Sequence, residues 1–273
     1  MNTVTYEELK QVIGQAGLAN AAICLHSSLK SFGYVEGGAD AVIQAWLDSG
    51  CTLVVPTFTY ECETPPPPQR PLILQNGLDE ADLAAIRPNA SYRQHSRMIS
   101  PSMGAIPAKI LEKTAVVRGN HPLNSFAALG PLAAAIIATQ SPDNVYGPLK
   151  QVYQHAAAFM VLIGVDLTKA TPLHFAEEKA GRRLFRRWGR DVDNGIVETQ
   201  VGSCSDGFNR LQPFVAHIEQ RITVGASNWR IYPFRQFIDI AARVIAQNPA
   251  ITHCDDQLCV RCNDAVKGGP ILD

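Results

Sequence analysis

The stretch Ala21–Phe58, AAICLHSSLKSFGYVEGGADAVIQAWLDSGCTLVVPTF, gives the clearest indication of the fold class. It begins with a short apolar run, Ala21–Leu25, and ends with a second one, Cys51–Phe58, and both have the length of a buried strand. Between them a glycine-containing loop precedes an amphipathic helical pattern, Ala39–Leu47, which Gly50 terminates. Strand, helix and strand in this order form a βαβ unit. The sequence therefore predicts an α/β fold with a largely parallel central sheet and helices on both faces (α/β/α).

The composition limits the class of protein. With 273 residues, of which 46% are hydrophobic and 18% charged, the chain can bury a large core, and we expect a single domain over residues 1–273. A formal net charge of −1 argues against a nucleic-acid-binding protein. No apolar run reaches the ~18 residues of a membrane span, and we find no export signal. Seven cysteines, an odd number, fit reduced thiols, so we expect a cytoplasmic protein.

A second stretch, Phe159–Gly181, carries the residues best suited to catalysis. An apolar run as far as Val165 predicts a strand, and Pro172 suits the first turn of a following helix. His174 and Glu177 are three residues apart, so they share one face of that helix. An imidazole beside a carboxylate, just after the C-terminal end of a strand, is well placed as a general base. A His-x-x-Glu pair is as often a surface hydrogen bond, so the pair alone leaves both interpretations open.

Small polar residues and glycines follow the first predicted strand. Ser27, Ser28, Gly37 and Gly38, with the first amides of the next helix, could bind a phosphate through hydrogen bonds and the helix dipole. The pattern matches neither the P-loop nor the dinucleotide fingerprint, and a Gly-Gly before a helix is more often a simple turn. A phosphate site here is therefore one of two interpretations.

Two later stretches give coarser predictions. Five arginines lie between Arg182 and Arg190, a run that predicts a solvated face or, alternatively, a contact with a phosphate. The stretch Pro213–Ile222 predicts a helix.

Residues 250–273 form a cysteine-rich C-terminal tail. Cys254, Cys259 and Cys262 have the spacing C-x4-C-x2-C and could hold a structural zinc ion if one more residue completed a tetrahedron. The candidates for the fourth ligand are His253, Cys62 and Cys204. A second C-x2-C or H-x3-H pair is missing from the sequence, so zinc is left as an open alternative.

Four motifs, taken together and in order, resemble the aminoglycoside 3-N-acetyltransferase family. They are His26–Gly38, Val54–Thr59, Arg118 with His121–Phe126, and Leu162–Gly164 with Thr171–Glu177. The resemblance extends over about residues 5 to 245 and leaves out the cysteine-rich tail. It implies the antibiotic N-acetyltransferase fold, acetyl-coenzyme A as the cosubstrate, and direct transfer of the acetyl group to an amine in a ternary complex.

The resemblance also implies roles for individual residues. His174 would be the general base, Glu177 its orienting carboxylate, and Thr59, near the thioester, a candidate donor to the thioester oxygen. The coenzyme-binding residues that it implies, with their neighbours in the motifs, are His26, Ser27, Ser28, Leu29, Gly37, Gly38, Thr57, His121 and Ser125.

The predicted reaction is acetylation of the 3-amino group of an aminoglycoside. Aminoglycosides are polycations and need acidic walls, so we expect the acceptor to be bound by Tyr60, Glu61, Glu178 and Asp206. Three alternatives remain open: acetylation of another amine, a coenzyme-binding protein without turnover, and a zinc-dependent interaction module built on the tail. The oligomeric state is also open, with a homodimer as one option.

Overall fold

The structure is a computed structural model that describes residues 3–70 and 72–272. Residues 1, 2, 71 and 273, which belong to the predicted single domain, lie outside the described residues. The strands are β1 (Thr3–Val4), β2 (Ala22–Ser27), β3 (Tyr34–Val35), β4 (Thr52–Pro56), β5 (Glu63–Thr64), β6 (Val117–Arg118), β7 (Phe126–Leu129), β8 (Ala158–Ile163), β9 (Phe185–Asp191), β10 (Gly195–Val201), β11 (Gln220–Val224) and β12 (Ser227–Pro233). The α-helices are α1 (Tyr6–Gln15), α2 (Gly38–Leu47), α3 (Glu80–Ala85), α4 (Ala105–Ile110), α5 (Ala133–Ile137), α6 (Gly147–Gln154), α7 (Pro172–Lys179), α8 (Gln212–Val215), α9 (Phe234–Gln247) and α10 (Val260–Val266).

A 7-stranded sheet in the order β11-β12-β8-β2-β4-β7-β6 forms the centre of the molecule. Strand β2 pairs in parallel with both β4 and β8, whereas the outer pairs are antiparallel. Because β7 and β12 each oppose their neighbours, the remaining five strands of the sheet share one direction. The predicted α/β class with a largely parallel sheet is confirmed, and the parallel pairing itself is confined to the three central strands.

Alternate residues of β2 enter two separate cores. Ala22 and Cys24 belong to a buried cluster with residues of α5, α6, α7 and α9, whereas Ile23 and Leu25 belong to a second cluster with residues of α1, α2 and α4. This alternation follows from the two-residue period of a strand whose two faces are both covered. The sheet therefore has helices on both faces, as predicted.

A second, 3-stranded antiparallel sheet, in the order β10-β9-β5, accounts for the arginine run. Strand β9 contains Arg187, which is buried, and Arg190, which is exposed. Arg182, before the strand, is buried as well. The prediction of a solvated face is therefore wrong for Arg182 and Arg187, because one lies against a buried carboxylate and the other points inwards from a strand.

The helix predicted over Pro213–Ile222 is also different in the structure. A short helix covers Gln212–Val215, and from Gln220 onwards the chain forms β11, which pairs with β12. Pairing with a strand further along the chain overrides the local helical pattern. Among the described residues, none of the helices combines the length and the apolar character that a bilayer span requires.

Candidate active site

A cleft of about 1080 Å³ opens at the carboxyl ends of the three central strands. Residues that follow β2, β4 and β8 line it, including Ser28, Phe58 and Val165. The opposite walls come from residues 99–105, 107 and 108, from residues 201–206 and from Arg261 in α10. Parallel strands bring their carboxyl ends to one edge of a sheet, which is where ligands of such folds bind.

His174 lies in this cleft on helix α7 and contacts Glu177. Its Nδ1 is 2.8 Å from Glu177 Oε2, the contact that the three-residue spacing predicts. His174 lines the cleft, whereas the side chain of Glu177 is only 3% exposed. With Nδ1 directed to the carboxylate, Nε2 is the ring nitrogen available to a group in the cleft.

Glu177 is held by several donors in addition to the imidazole. Ser203 Oγ donates to Oε2 over 2.8 Å, Thr252 Oγ1 donates to Oε1 over 3.3 Å, and the buried guanidinium of Arg182 also donates to Oε1. Burial raises the pKa of Glu177, but the hydrogen bond and charge of His174, the charge of Arg182 and the hydrogen bond from Ser203 together lower it below its ordinary value. The carboxyl group is therefore ionised near neutral pH.

The imidazole of His174 is fixed by its neighbours on both sides. The ring of Tyr146 is nearly parallel to it, with an interplanar angle of 11° and centroids 6.3 Å apart. The ring of Phe208 has its centroid 4.8 Å away. A Cβ atom on Gly202 would lie 2.6 Å from His174 Cγ, so the backbone here passes close to the ring. The position of the imidazole is thus determined by packing as well as by hydrogen bonding.

The predicted coenzyme-binding residues divide into two groups. The segment His26–Leu29 lines the cleft at the end of β2. Burial lowers the pKa of His26 to about 3, so this imidazole is neutral. Gly37 is the N-cap of helix α2 and Gly38 its first residue, and neither is among the residues that line the cleft.

Thr57, Thr59 and Ser125 lie behind the wall of the cleft, and all three are fully buried. Thr57 Oγ1 donates to the Ser125 carbonyl over 3.0 Å, and Ser125 Oγ donates to the Thr57 carbonyl over 2.9 Å. Thr59 Oγ1 donates to the Pro122 carbonyl over 2.7 Å. These hydrogen bonds hold the turn after β4 in place. The other two residues of that turn, Phe58 and Tyr60, line the cleft.

His121 also braces this region from inside the protein. Its Nδ1 accepts a hydrogen bond of 2.8 Å from the Asn124 amide, and its Nε2 lies 2.9 Å from the Gln200 carbonyl. Burial lowers the pKa of His121 to about 4. The imidazole is therefore neutral and has a partner at each nitrogen.

The predicted acceptor-binding residues are also divided. Tyr60 and Asp206 line the cleft. Glu61 accepts a hydrogen bond of 2.5 Å from Ser100 Oγ, and Glu178 forms an ion pair of 2.8 Å with Lys150. The structure thus brings two of the four predicted residues to the cleft.

The charged side chains of the cleft include more cations than anions. The acidic ones are Glu63 and Asp206, and the basic ones are Lys30, Lys169, Arg187 and Arg261. Glu63 Oε1 is 3.5 Å from Arg187 Nε. Burial raises the pKa of Glu63, with the charges of Arg187 and Arg261 acting against that shift. This balance suits an anionic ligand in at least part of the cleft.

Four sulfur atoms gather next to the cleft, all within 4.8 Å of one another: those of Cys204, Cys254, Cys259 and Cys262. The residue that joins the three tail cysteines is thus Cys204, which itself lines the cleft. Of the other two candidates, His253 has its Nε2 3.2 Å from Asn263 Oδ1, and Cys62 is buried against Met98.

Three partners of Glu177 were not found from the sequence. Arg182 lies five residues after Glu177, just past the end of α7. It is one of the five arginines of the run, and nothing in the sequence distinguishes it from the other four. Ser203 follows Gly202 at the end of β10, and a small polar residue after a strand is a weak signal. Thr252 lies 75 residues away, and nothing in the local sequence indicates the contact.

The chain is similar to known proteins over most of its length. The model of the family described as aminoglycoside 3-N-acetyltransferase matches residues 24–246. The chain is 28% identical to aminoglycoside N(3)-acetyltransferase IX of Micromonospora chalcea over 246 residues, which are 81% of this chain and 83% of that relative.

Two solved structures share its fold. The YokD protein of Bacillus subtilis has a TM-score of 0.76 at 25% identity, over 91% of this chain and 96% of YokD. The enzyme AAC-IIIb, solved as a binary complex with CoASH, has a TM-score of 0.72 at 20% identity, over 90% of this chain and 97% of its own. The family match includes the central sheet, the cleft residues that follow it and helix α7. The chain belongs to the aminoglycoside 3-N-acetyltransferase family of acyltransferases, as its four motifs predicted.

Proposed function

We propose that this chain transfers the acetyl group of acetyl-coenzyme A to the 3-amino group of an aminoglycoside, by direct attack in a ternary complex. The observation that carries the proposal is the His174–Glu177 pair in the cleft, with Nδ1 and Oε2 2.8 Å apart. Family membership supports acetyl-coenzyme A as the donor, and AAC-IIIb, which shares the fold, binds CoASH.

His174 is proposed as the general base. A protonated amine must lose a proton before its nitrogen can attack a thioester, and an imidazole is suited to accept that proton near neutral pH. The ionised Glu177 holds the neutral ring in the tautomer with its proton on Nδ1, which leaves Nε2 free to accept. Glu177 also stabilises the imidazolium that forms. Proton transfer of this kind contributes ~10²–10⁴-fold to the rate.

The acetyl group then passes directly from the thioester to the amine, without a covalent enzyme intermediate. The neutral amine nitrogen forms a bond to the acetyl carbonyl carbon, the carbon–sulfur bond breaks, and a second proton passes from the nitrogen to the departing sulfur, so that coenzyme A leaves as the thiol. The first proton lost by the amine resides on His174 and is then released to solvent. No cysteine is needed as a nucleophile: Cys24 and Cys51 are buried core residues, and burial raises the pKa of both thiols.

The coenzyme is proposed to occupy the part of the cleft next to the end of β2. Ser28 lines this part together with two cations, Lys30 and Lys169. Positive charge at the phosphates of the coenzyme contributes to affinity through electrostatic attraction and charge-assisted hydrogen bonds. The remaining length of the cleft, towards Tyr60 and Asp206, is then left for the acceptor.

The charges of the cleft also favour a second candidate, acetylation of an amine that is not an aminoglycoside. A polycationic acceptor requires acidic walls, but Glu63 is paired with Arg187, and Arg261 lines the same region. An acceptor with fewer positive charges would meet less repulsion there. The catalytic step at His174 would be the same.

A thiol-release screen separates the two candidates. The full chain is incubated with acetyl-coenzyme A and either aminoglycosides or simple mono- and diamines, and free coenzyme A is measured against a control without acceptor. Release with aminoglycosides, and a product acetylated at the 3-amino group by NMR, supports the first candidate. Release with simple amines alone supports the second, and no amine-dependent release would contradict both.

We further propose that the protein acts in the cytoplasm. None of the seven cysteines, all of which lie in the described part of the chain, is in a disulfide, which fits a reducing compartment.

A further inference from the structure

Four cysteines from two distant parts of the chain converge beside the cleft. Cys204 follows β10, and Cys254, Cys259 and Cys262 belong to the tail, yet their sulfur atoms all lie within 4.8 Å of one another. A tetrahedral zinc ion with Zn–S bonds of about 2.3 Å places its sulfur ligands about 3.8 Å apart. We propose that these four cysteines bind one zinc ion in a closed structural site.

The donor set is the reason for choosing zinc. Four thiolates suit a soft or borderline metal in tetrahedral geometry, which means zinc or iron, and zinc with four cysteines is a common structural site. The backbone amide of Cys254 donates to the sulfur of Cys262 over 3.3 Å, and hydrogen bonds of this kind orient metal-bound ligands. Each sulfur has three others as neighbours, an arrangement that a single disulfide would not require.

The zinc ion would connect the C-terminal tail to the loop after β10, which contacts Glu177 of the His174–Glu177 pair. Cys204 is adjacent to Ser203, which donates to Glu177, and Cys254 is two residues after Thr252, which contacts both Glu177 and Arg182. Removing the zinc would therefore loosen two contacts of Glu177. This consequence for catalysis rests on the proposed role of His174, whereas the binding of zinc does not.

A filled site would also change the charge next to the acceptor. One zinc ion with four thiolates carries roughly two negative charges in net. Arg261, between Cys259 and Cys262 in sequence, lines the cleft and lies close to this charge. The site would thus offset part of the positive charge that disfavours a cationic acceptor.

The test uses the full chain, purified under reducing conditions without chelators, with its metal content measured by mass spectrometry. We expect about one zinc ion per chain. Cys254→Ser and Cys259→Ser should lose the zinc and lower the Tm by about 5–10 °C. Cys51→Ser is the matched control: Cys51 lies in the core cluster formed with α1, α2 and α4, its thiol donates to the Leu18 carbonyl over 3.1 Å, and a serine hydroxyl can do the same. It should keep the zinc.

A second measurement keeps the test valid if the variants do not fold. A mercurial reagent added to the native protein should release the zinc, detected with an indicator dye, as about four thiols react per chain. Three results would each overturn the proposal. They are less than about a tenth of a zinc ion per chain after incubation with zinc salt, iron in place of zinc, and full zinc content in Cys254→Ser. A zinc-loaded protein that acetylates no amine would instead contradict the proposed function.

Discussion

Gly202 lies directly against the imidazole of His174, so that a methyl group at position 202 would come within 2.6 Å of Cγ and 2.7 Å of Cδ2. It would also come within 2.6 Å of the Tyr146 hydroxyl. The backbone at the end of β10 therefore closes one side of the space in which the imidazole is held. Any side chain at this position must displace either the ring or the strand end.

Gly202→Ala should displace the imidazole of His174, the proposed base, while leaving the proposed coenzyme-binding part of the cleft unchanged. A shift of about 1 Å in a reacting group costs about 10²-fold in rate, so we expect kcat to fall by about that factor, with the Kd for coenzyme A within about 3-fold. Gly14→Ala is the control: a Cβ atom there meets no other atom within 4 Å, on the exposed face of α1. Wild-type kcat in Gly202→Ala would mean that the ring is not fixed by this contact.

Glu177→Gln should reduce turnover less than loss of His174, because it disturbs the orientation of the ring and leaves the proposed proton acceptor in place. The same change leaves the buried guanidinium of Arg182 without its carboxylate. We therefore expect the free energy of unfolding to fall by about 3 kcal/mol, measured by chemical denaturation. The adjacent, part-exposed Glu178 pairs with Lys150, and Glu178→Gln should cost less than about 1 kcal/mol. Equal losses in the two variants would contradict a buried ion network around Glu177.

The stability of the protein should fall between about pH 6.5 and 4 because of its buried neutral imidazoles. His121 has its pKa lowered to about 4 in the folded state, whereas the unfolded chain binds the proton at about 6.5. The unfolded state therefore holds more protons in this window, and stability present above about pH 6.5 is lost as the pH falls. Each such histidine contributes about 1.4 kcal/mol per pH unit.

The variant His121→Asn removes the imidazole that would take up a proton on unfolding and keeps a side-chain acceptor for the Asn124 amide. Its free energy of unfolding should depend less steeply on pH than that of the wild type, by about 1.4 kcal/mol per pH unit in the same window. An unchanged slope in His121→Asn would show that this imidazole is not buried in its neutral form.

Local patterns were enough to predict the centre of this fold. Strands β2, β4 and β8 are short apolar runs, and Pro172 marks the first residue of α7, so each element could be recognised within about ten residues of sequence. The contact between His174 and Glu177 was predictable for the same reason, since a three-residue spacing on a helix fixes it.

Features that depend on distant contacts were not predictable. Strand β9 was not predicted because three of its seven residues are arginines and its sequence lacks an alternation of apolar and polar residues. Strand β11 becomes a strand only through pairing with β12. The sequence also could not distinguish residues that face a cleft from those that brace its wall. Ser28 and His121 belong to similar polar motifs, but Ser28 lines the cleft and His121 is enclosed. The meeting of Cys204 with the tail cysteines likewise depends on the whole fold.

His174 is proposed to accept the proton of the attacking amine, and this role is tested most directly by the rate of coenzyme A release by His174→Ala at saturating acetyl-coenzyme A and acceptor. We predict that kcat falls by about 10²-fold or more while the Kd for coenzyme A is retained. His217→Ala, at an exposed histidine outside the cleft, should release coenzyme A at the wild-type rate. A wild-type kcat in folded His174→Ala protein would contradict the role of His174 as the general base.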